Sequence, residues 1–489
     1  MVMLVIVVLG AAAILVNSLS STGLRNERDK ITADALAQAK EALIGMALTY
    51  SDYPGSLPCP DTDNDGDADG GGNGIDCSSY IGRLPWKTLG LPDLRDATGE
   101  RLWYTLSRNV RRYASAHPLN SETTGTLSIT GTYTASNLMA IIFAPGSSIA
   151  SQNRANNGLS LCSNPSRCAV NYLEGSNANA SPGSSPNTNY QNASSTVSFN
   201  DQLISISHDQ LFPLIEKRIA REVKSCLDDY AQEPLNNNKY PWAVPVTASD
   251  YTSMENTRFG RLPNSGSSSI SALLNALATL QLALNNYSAS NASTVTALFN
   301  AGAALIVAAD AVKNNQPTQP AISEPITNQA DQTGDKAKKL ANLQGGVTRS
   351  EVQSEINTAS SNLATVTLWP PSCTLFSPSN KYWVYWRHLI FFQIADGYQI
   401  GGNGICAPNC LKINNAGDYR ATVLVAGMRL SGQASTAPYT NPPTPYLEGI
   451  NAHTGASPAI DFETYKPSDA QYQTVNDLVL CLNGTPNCP

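Results

Sequence analysis

The chain opens on sixteen residues, MVMLVIVVLGAAAILV, that carry no charge and no proline; a polar stretch, Asn17 to Thr22, follows. At 1.5 Å per residue such a run rises about 24 Å, close to the ~30 Å hydrocarbon core of a bilayer, and it predicts a membrane-compatible helix. The alternative, a cleaved secretory signal, requires a basic segment ahead of its apolar core, and Met1 is followed directly by apolar residues. From Asp29 to Tyr50 the apolar residues Ile31, Ala35, Ala39, Leu43, Met46 and Tyr50 recur at helical spacing, and no proline occurs before Pro54. One continuous helix is therefore expected, apolar at its start and amphipathic afterwards, about 75 Å long, with Gly10, Gly23 and Gly45 as points of weakness.

Beyond this helix the pattern repeats itself. KEALIGMALTYSDYPGSLPCP (40–60) is echoed by KSCLDDYAQEPLNNNKYPWAVP (224–245), and IGRLPW (81–86) by FGRLPN (259–264). The strand-like runs GERLWYTLSRNV (99–110) and SNLMAIIFAPGSSIASQN (136–153) are matched by NKYWVYWRHLIF (380–391) and YRATVLVAGMRLSGQAS (419–435). NYLEGSNANA from Asn171 is matched by PYLEGINAHTG from Pro445, and each is followed by a further strand, NDQLISIS at Asn200 and NDLVLCL at Asn476. The expected fold is α+β: a long N-terminal helix, residues 1–53, then a first head, 54–207, and a second, duplicated head, 208–264 and 371–489, each with an antiparallel sheet. The second head starts with an amphipathic helix, His208 to Tyr230, that lacks an apolar anchor. Residues 265–370 form an insertion with helical runs at Ile270–Asn285 and Val295–Lys313, and its Pro, Gln and Thr-rich tract 314–345 reads as a loop or linker.

Composition narrows the function classes. The 489 residues are 42% hydrophobic, enough for real cores, but only 14% charged, with a net charge of -7. That balance disfavours nucleic acid as a partner, because phosphate binding is built from clustered Lys and Arg. Ten cysteines fall in short pairs, Cys59 with Cys77, Cys162 with Cys168, Cys406 with Cys410 and Cys481 with Cys488, leaving Cys226 and Cys373. None has zinc-knuckle spacing, so disulfides in an oxidising compartment are expected, with buried free thiols as the alternative.

One motif carries chemistry. Asp61, Asp63, Asp65, Asp67 and Asp69 alternate within PDTDNDGDADGGGNG, with Gly66 at the sixth place, where an EF-hand loop turns sharply. Gly72 stands where such a loop has its bidentate Glu, and Asp76 is the candidate to complete it. Calcium is the expected ligand, and a solvated acidic loop is the alternative. Catalysis finds no support: there is neither a G-x-S-x-G elbow nor H-E-x-x-H. His117, His208, His388 and His453 read as helix-end or surface residues, and the Tyr382, Trp383, Tyr385, Trp386 cluster as core packing, with a sugar platform as the rival.

The N-terminal layout resembles the helix of type IV pilins and type II secretion pseudopilins. LPCPD with GRLPWKTLGLPDLRDATGERLWY resembles large proteobacterial pilin-like proteins with a prepilin-type N-terminus. Val5 occupies the place where pilins carry a Glu if Met1 is the mature start, a departure shared by large minor pseudopilins, and the usual Pro near position 22 is absent. The resemblance implies a non-enzymatic filament subunit, held in the inner membrane before assembly and extracellular afterwards, whose partners are its own copies in a helical homopolymer and the pilus or secretion machinery. A minor or tip pseudopilin, or a surface adhesin, is the alternative.

Overall fold

The computed structural model describes the chain from Val2 to Thr485 except residues 71–75, 112–118, 155–168, 179–186, 234–235, 247–256, 264–267, 316–319, 364–368, 371, 377–380, 400–401, 434–445 and 454–459; the side chains of 2–22, 268–271, 314–315, 320–324, 381 and 484–485 are also outside the description. It is an α+β structure with antiparallel sheets, and it divides into two units, Met1–Ile219 and Ala220–Pro489.

Unit 1 begins with helix α1, Val2–Thr49. Its buried stripe is Thr32, Ala35, Leu36, Ala39, Leu43, Ile44 and Ala47, which is the spacing of one helix face. Ile31, expected on that face, is 44% exposed: a step of one residue turns it about 100° from Thr32. The stripe packs on β5 (Ala140–Ala144) and β7 (Gln202–Ile206). Lys40, next to the stripe, reaches Ser205 O at 2.9 Å and Gln210 Oε1 at 2.8 Å, and its burial pulls its pKa down. With β1 (Ile81–Arg83) and β2 (Trp103–Leu106), these strands form an antiparallel sheet in the order β1-β2-β5-β7. All of β5 is buried because helix covers one side. On the other side a smaller sheet, β3 (Leu127–Gly131) with β4 (Ala135–Leu138) antiparallel and β6 (Asn189–Asn192) parallel, closes a core of Ile81, Trp103, Leu127, Ile129, Ile141, Phe143, Tyr172 and Tyr190.

Helix α2, His208–Gln232, carries the boundary between the units. Unit 2 contains β8 (Phe259–Arg261), β9 (Ile390–Ile394), β11 (Ala416–Val425) and β13 (Leu478–Thr485), joined antiparallel in that order. β10 (Leu411–Ile413) pairs antiparallel with the start of β11 and parallel with β12 (Asp461–Phe462). The order and the register are those of unit 1. Arg83 faces Trp103 as Arg261 faces Phe391, and Ile129 faces Tyr190 as Ile413 faces Phe462. Even the irregular bridge preceding the sheet recurs: Asp61 and Arg83 exchange backbone hydrogen bonds (3.0 and 2.8 Å), as do Val244 and Arg261 (2.8 and 2.7 Å).

This register corrects one sequence match. NKYWVYW does not stand in for the strand Trp103–Leu106; Lys381–Trp386 is a short helix, α7, and the residues that occupy the strand are Phe391–Ile394. Tyr382, Trp383 and Trp386 are buried, with Trp383 edge-on to Phe376 at 4.7 Å, so the cluster is core and not a sugar platform; Tyr385 is half-buried.

Between β8 and β9 lie four helices, α3 (Ser268–Asn286), α4 (Ala292–Asn315), α5 (Pro320–Ala341) and α6 (Arg349–Leu363). They share a core of their own, in which Leu277, Leu280, Leu305, Ala330, Leu340 and Ile356 are buried. The tract 314–345, read as a linker, thus contains a helix of 22 residues: Pro320 opens it where a proline costs least, and Ile326, Ala330, Ala337 and Leu340 supply a buried stripe despite the polar composition. Gly302 and Gly334 let α4 and α5 approach so closely that a Cβ on either would lie within 2.8 Å of the other's carbonyl oxygen. Among the described residues, Ala292–Lys313 is the one stretch long and apolar enough to cross a membrane, and Leu298, Ala301, Leu305, Ala309 and Val312 from it are buried in this bundle core. At the root of the insertion the Trp369 indole donates to Pro263 O at 3.0 Å and packs on Phe376 and Tyr230.

Candidate functional site

The acidic loop leaves the bridge between Asp61 and Arg83. Asp61 is 1% exposed, and its carboxylate accepts the N–H groups of Asn64 (2.6 Å) and Gly66 (2.8 Å), which bends the chain back over it. Asn64 (φ 69°) and Gly66 (φ 94°) take left-handed backbone there, and a Cβ at Gly66 would meet the Trp86 indole at 2.7 Å. Carboxylate oxygens of Asp61, Asp63 and Asp65 gather within 4.8 Å of one another. Burial first, and then the Asp65 and Asp69 charges, push the Asp61 carboxyl up to about 6 against the pull of its two N–H donors.

The other expected ligands are engaged elsewhere. Asp67 lies 3.9 Å from the Lys87 ammonium, and Asp69 Oδ2 accepts both the N–H and the hydroxyl of Thr62 at 2.6 Å. Asp76, the candidate to complete the loop, is held by Arg108 (2.8 Å), by Tyr80 and by the Cys77 N–H; these bonds outweigh its burial and lower its pKa. Gly72 lies outside the described residues. Three carboxylates supply part of the six to eight oxygens calcium takes, leaving the remainder to carbonyls and water.

The disulfides Cys59–Cys77, Cys226–Cys373 and Cys406–Cys410 join Cα atoms 5.4, 5.1 and 4.8 Å apart, and the first closes the acidic loop. Cys481 is also disulfide-bonded, while Cys162, Cys168 and Cys488 lie outside the described residues. His117 lies outside them as well. His388 does lie in the helical turn, Arg387–Leu389, that follows α7, but it is buried rather than on the surface, and His453 is half-buried. His388 is 3% exposed, and its pKa falls well below the usual value through burial and then the Arg261 and Arg387 charges. His453 sits against Phe259 at 3.8 Å, and burial lowers its pKa to about 4. His208 does start a helix, but it is buried, with Nε2 2.8 Å from Ser121 O.

A polar cluster that belongs to none of the sequence motifs is present twice. In unit 1, Glu174 Oε2 accepts the N–H groups of Asn200 (2.9 Å) and Asp201 (3.0 Å), and Oε1 accepts the Gln152 amide (2.6 Å). Asp201 Oδ2 accepts the Glu174 N–H (2.9 Å) and Asn177 Nδ2 (3.0 Å); Asn177 also exchanges bonds with the Gln191 backbone (3.1 and 2.8 Å). Unit 2 repeats the set. Glu448 Oε2 accepts the Asn476 N–H (3.1 Å) and Oε1 the Gln433 amide (2.6 Å), while Asp477 Oδ2 accepts the Glu448 N–H (3.0 Å) and Asn451 Nδ2 (3.0 Å). Asn451 exchanges bonds with the Glu463 backbone (2.8 and 2.9 Å). On the tyrosine two residues before each Glu lies an arginine: half-buried Arg83 is 4.1 Å from the Tyr172 ring and 4.8 Å from Trp103, and buried Arg261 is 5.1 Å from Tyr446 and 4.2 Å from Phe391.

Comparison with protein-family models, with curated proteins and with solved structures finds no match to this chain.

Proposed function

We propose that this chain is a structural subunit of a type IV pilus-like extracellular filament, held in the inner membrane by its apolar N-terminal segment and assembled through it. One observation carries the reading. The helix that starts with the apolar run Val2–Val16 continues without a break to Thr49, and its second half lays a buried stripe on an antiparallel sheet. A protein so built has a greasy rod fixed to a folded head, and burying rods side by side removes apolar surface from water or lipid while heads face out. The disulfides support an oxidising compartment. On this reading unit 2 is a second head, copied from the first without its anchor, and calcium at Asp61, Asp63 and Asp65 rigidifies the first head. The protein performs no catalysis of its own.

Val5 favours a second reading, a minor or tip pseudopilin present at few copies. Cryo-electron microscopy of sheared filaments distinguishes the two. A helical repeat of this chain with residues 1–50 at the axis is expected for a main subunit; a tip-only location would replace it with the second reading. Full recovery from a soluble fraction, with the N-terminal residues intact and no filament, would sink both.

A further inference from the structure

In both networks three of the four carboxylate oxygens have donors, and the fourth does not. Asp201 Oδ1 and Asp477 Oδ1 are buried and meet no hydrogen-bond donor among the described residues. What each Asp does meet is the other carboxylate of its pair: Asp201 accepts the Glu174 N–H while Glu174 accepts the Asp201 N–H, and Asp477 accepts the Glu448 N–H while Glu448 accepts the N–H of the neighbouring Asn476. Two buried carboxylates in contact cannot both remain ionised without a counter-ion. The charged groups nearby are otherwise occupied. In unit 1, Arg154 bonds Gln152 Oε1 (2.6 Å) and pairs with Glu100 (3.3 Å), Arg83 covers Tyr172, and Asp96 accepts the Gly146 N–H (2.8 Å). In unit 2, Arg261 covers Tyr446, Glu463 flanks Gly449, and His453 packs on Phe259. A bound cation fits poorly, since N–H donors already fill the oxygens it would need.

We propose that in each unit the pair holds one shared proton, carried on Asp201 Oδ1 or Asp477 Oδ1 and donated to the facing Glu carboxylate, so that each sheet is fastened by a carboxylic acid that alkali releases. The proton satisfies the orphaned oxygen, leaves one negative charge for the backbone N–H groups around the Glu, and explains why the same atom lacks a donor in both units. The electrostatics point the same way. Burial and then the Glu174 charge push Asp201 up to about 8, and burial and then Glu448 push Asp477 well above the carboxylate range. The fastening joins the turn at 174–177 to the start of β7, and the turn at 448–451 to the start of β13.

Asparagine is the test, because its Nδ2–H donates where the protonated Asp would and its Oδ1 accepts the same two N–H groups. In the full chain, Asp201→Asn and Asp477→Asn should fold as stably as wild type below about pH 4 and more stably at pH 8. A folded value above the unfolded one means stability is complete below about pH 4 and is lost as pH rises to the folded value, tenfold in the folding constant per pH unit per pair. Each Asn variant should remove its own share of that slope; Asp201→Ala, which removes the same proton but restores no donor, should remove the slope too and be less stable than Asp201→Asn at every pH. His453 titrates with the opposite sign in unit 2, so unit 1 gives the cleaner difference. An independent readout needs no variant to fold: wild type at pH 7, above the Asp61 range, should show a protonated-carboxyl C=O stretch in the infrared that shifts in deuterium oxide. Absence of that band at pH 7, or Asn variants as unstable as the Ala variant with the wild-type slope intact, overturns the proposal.

Discussion

Replacing Asn177 by alanine removes one side chain that makes three hydrogen bonds in a buried setting. Its Nδ2 donates to Gln191 O and to Asp201 Oδ2, and its Oδ1 accepts the Gln191 N–H. Asn177 is 0% exposed, so water does not replace these partners without a local opening. An orphaned buried donor or acceptor costs about 1–3 kcal/mol each, and with partial relaxation the loss should be about 3 kcal/mol. Because about 1.4 kcal/mol is a tenfold change, amide hydrogen exchange should accelerate by roughly two orders of magnitude. Mass spectrometry of the exchanging full chain localises the change, and the expected peptides cover 169–178 and 189–206. Asn451→Ala, which breaks the same three bonds to Glu463 and Asp477, should act with similar size on 446–453 and 461–485. A loss under about 0.5 kcal/mol in either variant, or faster exchange spread evenly over the chain, would show that the networks do not hold the turns to the sheets as argued.

Other expectations follow from single contacts. A Cβ at Gly82 would lie 2.5 Å from Asp61 O, so Gly82→Ala should cost about 1–3 kcal/mol in urea unfolding, whereas Gly23→Ala, with nothing within 4 Å, should gain up to about 1 kcal/mol of helix stability. Isothermal titration should show calcium binding at pH 7 that weakens at least tenfold in Asp61→Asn, and that weakens in wild type as pH falls through about 6, because the protonated carboxyl no longer ligates; no heat at millimolar calcium would remove the ion from the acidic loop. Serine at both Cys226 and Cys373, which are 147 residues apart, should lower the thermal midpoint by an amount equivalent to at most about 5 kcal/mol. His453→Phe should flatten the part of the stability profile that declines as pH drops from about 6.5 to about 4, since the neutral ring is the form the folded state prefers.

Periodicity and echo carried most of the fold. Helix α1 and the first two helices of the insertion were legible because apolar residues recur at helical spacing, and the repeated strands were legible because GRL, YLEG and ND recur in order. Where aromatic content guided the match, it slipped: Trp and Tyr occur both in β2 and in α7, and only strand pairing shows that Phe391–Ile394 hold the place in the sheet. Helix α5 was hidden by its Pro, Gln and Thr content, since its stability comes from packing against α4 rather than from propensity. The acidic loop was visible as a motif, but which three of five carboxylates converge depends on the Thr62 and Lys87 contacts, which no spacing encodes. The Glu, Asn and Asp of the buried networks stood inside the echoed segments. Their signal was polar residues recurring at matched positions next to strands, a pattern that belongs to no catalytic motif.

The connection between the first two strands of each sheet has a further consequence. In unit 1 it runs over residues 84–102, and in unit 2 over 262–389, nearly seven times as long. Loop-closure entropy grows only with the logarithm of length, so the longer crossing adds about 1.7 kcal/mol, and the four helices with their separate core offset it. Pro263 and Trp369 bring the two ends of the excursion together, as a staple gathers a fold of cloth. The sheet below keeps its register whatever the excursion contains. This position is therefore a port: natural variation, or an engineer, can exchange the four-helix module for another compact domain or a short turn without rewriting the residues that specify the sheet.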